Sequence, residues 1–135
     1  MCVVAVVDEA VVLIRQFRAP VDAMMLELPA GKLDIPGEPP ERTAARELEE
    51  ETGYRPGRLE LIASFYTGPG FTDEHMRVFL ATDCTPTAPH PHGPEEEAAE
   101  IVHVPIAELP ALAASGEVAD AKTLVGLLSL LHRGA

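Results

Sequence analysis

The chain has 135 residues and a formal charge of −12, from ten Lys and Arg against 22 Asp and Glu. With 47% hydrophobic and 24% charged residues it has the mix of an ordinary globular protein, which excludes bulk disorder and fits one domain over 1–135. So acidic a surface repels polyanions, which sets nucleic acid aside and leaves a small phosphorylated ligand only where cations bridge it to the protein.

The predicted elements begin with two β-branched-rich runs, 3–7 and 11–17, parted by Asp8-Glu9-Ala10 and therefore a hairpin. The opening apolar run has no basic residue before it and ends at Asp8, so it is not a signal peptide, and no apolar stretch approaches the ~20 residues of a membrane span. Two cysteines without metal or framework spacing fit a reduced, cytoplasmic setting. Glu27-Leu28-Pro29 is predicted to be extended, and 31–40, with two Gly and three Pro, to be a loop. The clearest helix is 41–52, with Pro39 and Pro40 at its start and Gly53 just past its end. Strands are expected at 59–66, 76–82 and 101–104, a Pro-rich loop at 85–94, and closing helices at 105–115 and 120–131. Strands and helices in this mixture suggest a mixed sheet covered by helices, an α/β architecture.

The segment Arg46-Glu47-Leu48-Glu49-Glu50-Glu51-Thr52-Gly53 carries the chemistry. At about 100° per residue, Glu47, Glu50 and Glu51 share one helix face. Like charges at that spacing repel by a few tenths of a kcal/mol per pair, and the helix dipole disfavours anions in a last turn by a similar amount. A hard divalent cation reverses the sign, since three carboxylates offer the oxygen ligands that Mg²⁺ or Mn²⁺ takes. The plain alternative is a solvated acidic face.

Gly31, Glu38, Arg46-Glu47-Leu48, Glu50-Glu51 and Gly53-Tyr54 together resemble the Nudix box, G-x5-E-x7-R-E-U-x-E-E-x-G-U, with U a bulky apolar residue. Every fixed position from Glu38 onward is matched; the departure is six residues instead of five between Gly31 and Glu38. Glu27-Leu28-Pro29-Ala30-Gly31 before the box and Gly68 to Glu74 after it, with Pro69 fifteen residues beyond Tyr54, are similar to the ADP-ribose pyrophosphatase branch of the Nudix hydrolases.

The resemblance implies an α/β/α sandwich with a mixed sheet that hydrolyses a nucleoside diphosphate linked to another moiety, with ADP-ribose first, and uses Mg²⁺ or Mn²⁺. It implies Glu47, Glu50 and Glu51 as metal ligands with the Ala30 carbonyl, and Glu38 and Arg46 as residues that orient the carboxylates. It places a catalytic carboxylate in the loop before the 101–104 strand, at Glu97 or else Glu95, although loop carboxylates are commonly just solvated. Arg15 and Arg18, read as sharing one face of their strand, are expected to meet phosphates or ribose. Glu74 is expected to contact the terminal ribose, and Phe17 and Phe71 to stack on adenine. A homodimer is usual in this branch. The alternatives are another nucleotide sugar, a (d)NTP, or a module that senses a nucleotide without cleaving it. The five histidines show no ligand spacing and are assigned no role.

Overall fold

A computed structural model describes residues 1–87 and 99–134. Strands β1 (Cys2–Val7) and β2 (Ala10–Arg18) form the expected hairpin, with the loop reduced to Asp8 and Glu9. Both carry positive φ, 49° and 61°, the left-handed pair that a two-residue turn needs to match the strands' twist. Strand β3 (Ala23–Glu27) pairs antiparallel with β2, and the chain stays extended past it: the Val3 N–H donates to the Pro29 carbonyl at 2.9 Å.

Helix α1 (Pro40–Thr52) ends at Gly53, whose φ of 78° and N–H bond to the Glu49 carbonyl (2.9 Å) make a left-handed cap. The two-residue strand β4 (Tyr54–Arg55) pairs with β7 (Thr85–Pro86), so the start of the Pro-rich stretch has regular pairing where only loop was expected. Long strands β5 (Arg58–Tyr66) and β6 (His75–Thr82) pair antiparallel with a bulge between Leu61 and Ala63. Strand β8 (Glu100–Pro105) lies on β2.

The predicted helix at 105–115 is a 3₁₀ turn, Ile106–Glu108, followed by a shorter helix α2 (Leu109–Ser115). Pro110 accounts for the break: it lacks an N–H, and its ring would clash with the Ile106 carbonyl in a continuous α-helix. Helix α3 (Ala121–His132) closes the described fold. No helix among the described residues is long and apolar enough to cross a membrane.

The main sheet runs β3-β2-β1-β6-β5 with β8 on the other edge of β2; β1 and β6 are parallel and the other pairs antiparallel. The period of two along β1 divides the core. Val3 and Ala5 pack with Ala44 and Leu48 of α1 and with Phe79, whereas Cys2 and Val4 pack with Leu28, Val78, and Leu127 and Leu130 of α3. These leucines are fully buried, and each such side chain contributes about 1.5–3 kcal/mol over leaving it in water. The result is the mixed-sheet α/β/α sandwich expected from the sequence. It fixes the last turn of α1 against the Ala30–Gly31 segment and the start of α3 near the end of β3.

Candidate active site

Helix α1 is held on the sheet by Ala44 and Leu48, and this turns Glu47 and Glu51 toward the chain that follows β3. The Ala30 N–H donates to Glu51 Oε2 at 3.1 Å. Glu47 lies so close to Gly31 that a Cβ there would stand 2.4 Å from its Cδ and 2.7 Å from its Oε1. Only glycine leaves room for that carboxylate.

Arg46 is the counter-charge. Its guanidinium reaches Glu38 Oε1 at 3.0 Å, Glu47 Oε1 at 3.3 Å and Glu50 Oε2 at 3.4 Å, while Thr43 Oγ1 donates to Glu38 at 2.6 Å. The hydrogen bonds from Arg46 and Thr43 hold the Glu38 carboxyl below its usual range, and the same bond with Glu38 keeps Arg46 firmly protonated. One arginine set against Glu38, Glu47 and Glu50 leaves the cluster negative.

Among the described residues, no three His, Cys, Asp or Glu side chains are gathered to hold a metal ion as they stand. The donor set and its backing nevertheless fit a hard divalent cation: carboxylates on one face, one bonded to Ala30 and one seated in a cradle that a Cβ would fill. Glu47, Glu50, Glu51 and the Ala30 carbonyl are the groups available to hold it.

Next to this face opens a cavity of about 500 Å³, lined by Ala30, Gly31 and Glu51, by Gln16 and Arg18 of β2, by Lys32, by Thr67, Glu74 and Met76, and by Asp120 and Lys122 at the start of α3. Glu74 accepts the Thr67 hydroxyl at 2.7 Å. Behind this wall lies Glu27, 2% exposed. Its carboxylate accepts from two guanidinium nitrogens of Arg18, Nε at 2.7 Å and Nη2 at 2.8 Å, and from the Lys122 ammonium at 2.8 Å. Burial alone would raise the Glu27 carboxyl; the bonds from Arg18 and Lys122 outweigh it and hold the group at about 2. Burial likewise works against the Lys122 charge, and Glu27 and Asp120 more than offset it.

The structure thus brings Ala30, Glu51, Arg18 and Glu74 to one cavity, with Arg46, Glu47 and Glu50 on the helix beside it. It separates Arg15 from Arg18. Positions three apart on a strand point to opposite faces, so the shared face expected for them was an error of parity. Arg15 faces Glu100 on β8 at 3.9 Å and does not line the cavity. Phe17 (56% exposed) and Phe71 (90% exposed) do not line it either. Glu95 and Glu97 lie outside the described residues. Glu27, Lys122 and Asp120 were missed. A single acid in the apolar run Met24-Met25-Leu26-Glu27-Leu28 was the available signal, since a buried strand carries a carboxylate only with partners.

Residues 1–125 match the NUDIX domain. The ADP-ribose pyrophosphatase of Bacillus subtilis (strain 168) is 45% identical over 124 residues, 91% of this chain and 66% of that protein. The GDP-mannose pyrophosphatase of Cronobacter sakazakii (strain ATCC BAA-894) is 37% identical over 133 residues, 93% of this chain and 69% of that protein. The chain therefore spans about two thirds of the length of these relatives. A crystal structure described as an ADP compounds hydrolase superposes with a TM-score of 0.88 at 25% identity, covering 98% of this chain and 70% of that one. With the box on α1, the sandwich around it and a match over nearly all its length, the chain belongs to the NUDIX domain family.

Proposed function

We propose that the chain is a pyrophosphatase that hydrolyses the diphosphate bond of a nucleoside diphosphate derivative, ADP-ribose foremost, giving AMP and ribose 5-phosphate. The observation that carries this reading is the seating of Glu47 and Glu51 on the Gly31 and Ala30 backbone beside a cavity that also presents Arg18, Lys32 and Lys122. Carboxylates arranged for a divalent ion, next to cations able to meet phosphate oxygens, suit a diphosphate.

Glu47, Glu50, Glu51 and the Ala30 carbonyl would hold Mg²⁺ or Mn²⁺. When bound, such an ion neutralises phosphate charge and lowers the pKa of a water. Arg46 keeps Glu47 and Glu50 in place. Arg18 and Lys122 bind and orient the diphosphate, and Glu74 accepts a sugar hydroxyl. Water attacks one phosphorus, the bridging oxygen leaves with the other, and a loop carboxylate takes the proton, Glu97 in the first instance and Glu95 in the second. Phe71, on the turn that brings Thr67 and Glu74 to the cavity, is available to stack on a base at the rim.

The similarity to GDP-mannose pyrophosphatase favours a second reading, another nucleotide sugar as the substrate. We read 1–135 as one catalytic domain acting in the cytoplasm, without nucleic-acid or membrane partners. The exposed apolar group Phe17, Val21 and Met24, with Phe17 paired to Met24, supports a homodimer.

The test is phosphate-ester release from ADP-ribose, GDP-mannose and dNTPs with and without Mg²⁺, for the wild type and Glu51→Gln. Metal-dependent hydrolysis of a nucleotide sugar should vanish in the variant at unchanged circular dichroism. Full activity in Glu51→Gln would overturn the assignment.

A further inference from the structure

Arg18 is useful to an anion only if its guanidinium is held out to the cavity rather than free to swing, and the structure shows what holds it. Glu27 is 2% exposed and does not line the cavity; Arg18 and Lys122, which do, both bond to it from the cavity side. The fork to Arg18 uses both carboxylate oxygens, and Oε1 also takes Lys122, from a helix 95 residues away in sequence. Lys122 in turn bonds Asp120 at 2.9 Å, and the Thr123 hydroxyl accepts the Leu28 N–H at 3.0 Å, so the start of α3 is tied to the same end of β3. Two cations and two carboxylates balance within the group, so each charge has a partner within the protein. A buried carboxylate would be a liability to folding here were it not paired.

We propose that Glu27 is a positioning residue: its buried carboxylate aims the Arg18 guanidinium and the Lys122 ammonium together into the cavity, where they receive the substrate's diphosphate. The inference rests on the hydrolase reading and goes beyond it by assigning substrate affinity to a residue that touches no substrate. Removing the charge should release Arg18 and Lys122 without disturbing Glu47, Glu50 and Glu51.

The experiment compares wild type, Glu27→Gln, Arg18→Ala and the double variant in two assays, ADP-ribose hydrolysis and calorimetric binding of inorganic pyrophosphate. Expected are a roughly tenfold rise in KM and in the pyrophosphate Kd for each single variant, kcat within about threefold of wild type, and a double variant that loses clearly less than the two single losses multiplied, because Glu27 acts in part through Arg18 and coupled residues do not add; what it loses beyond Arg18→Ala comes from the released Lys122. A merely structural Glu27 would lower kcat and thermal stability while leaving KM and pyrophosphate affinity in place; that result overturns the proposal, as do additive losses in the double variant. If Glu27→Gln fails to fold, Glu27→Asp, which keeps the charge but is too short to reach both cations, must show the same KM rise. Should the wild type hydrolyse no nucleotide sugar, the hydrolase reading fails, and the pyrophosphate arm alone decides on Glu27: absent or unaltered binding sinks it.

Discussion

Gly31→Ala isolates the placement of one carboxylate. The added Cβ would stand 2.4 Å from Glu47 Cδ and 2.5 Å from its Cγ, where ordinary contact begins at 3.4 Å, so about 1 Å must be found. The backbone will not supply it: Gly31 donates its N–H to the Met1 carbonyl at 3.0 Å and accepts from the Met1 nitrogen at 2.9 Å. Gly31 lies outside the left-handed region, so alanine strains no dihedral. The end of the Glu47 side chain must therefore move. A misplacement near 1 Å in a catalytic site reduces turnover on the order of 100-fold. Stability should change little, since the clash is relieved by a side chain and alanine restricts the unfolded chain by about 0.4–1 kcal/mol in its favour. The assay is kcat for ADP-ribose at saturating Mg²⁺, with a thermal melt alongside. Glu47→Gln should lose as much by itself, and the double variant should lose little more than either. A folded Gly31→Ala protein with kcat within twofold of wild type would refute the idea that the glycine exists to seat Glu47.

Two further outcomes follow from the ion networks. Arg46→Lys replaces a fork that spans Glu38, Glu47 and Glu50 with a single ammonium, and should raise the Mg²⁺ concentration for half-maximal activity by roughly tenfold; an unchanged titration would remove Arg46 from the supporting role. Glu27, held at about 2 against an ordinary 4.5, contributes stability that is complete above pH 4.5 and lost as pH falls toward 2, at most about 3 kcal/mol. Urea unfolding between pH 5 and pH 2.5 should show that loss in the wild type and a shallower one in Glu27→Gln; equal slopes would contradict it.

How much of this could be read from the chain depended on sequence distance. Helix α1 and its acidic face were legible because spacing, the prolines before it and the glycine after it all act within one or two turns. A mixed sheet covered by helices followed from the mixture of elements and the sandwich from the resemblance, and the buried Ala44 and Leu48 seat α1 on that sheet. The 3₁₀ turn at Ile106–Glu108 went unread, although Pro110 had announced it. Parity would have parted Arg15 from Arg18 without any structure. The wall of the cavity was different in kind. Lys122 joins Arg18 and Glu27 of the paired strands β2 and β3 only because α3 packs its first turn against the end of β3, and no local pattern encodes that meeting.

The two ion networks explain how a chain of charge −12 can be fitted to an anionic ligand. Around Glu27 the charges cancel: Arg18 and Lys122 against Glu27 and Asp120. Such a group needs nothing added, and it turns the cationic members to the cavity because the central carboxylate is buried behind them. Along α1 the ion pairs are unequal in charge, since the single positive charge of Arg46 is shared among Glu38, Glu47 and Glu50, with Glu51 close by at Ala30. Left alone, that face would repel a diphosphate as surely as the rest of the surface does. A divalent ion held there would turn the deficit into an attraction, beside the wall that presents Arg18 and Lys122. On the proposed function Glu51 serves the ion and Glu27 the cationic wall, so Glu51→Gln should fail chiefly in turnover and Glu27→Gln in binding.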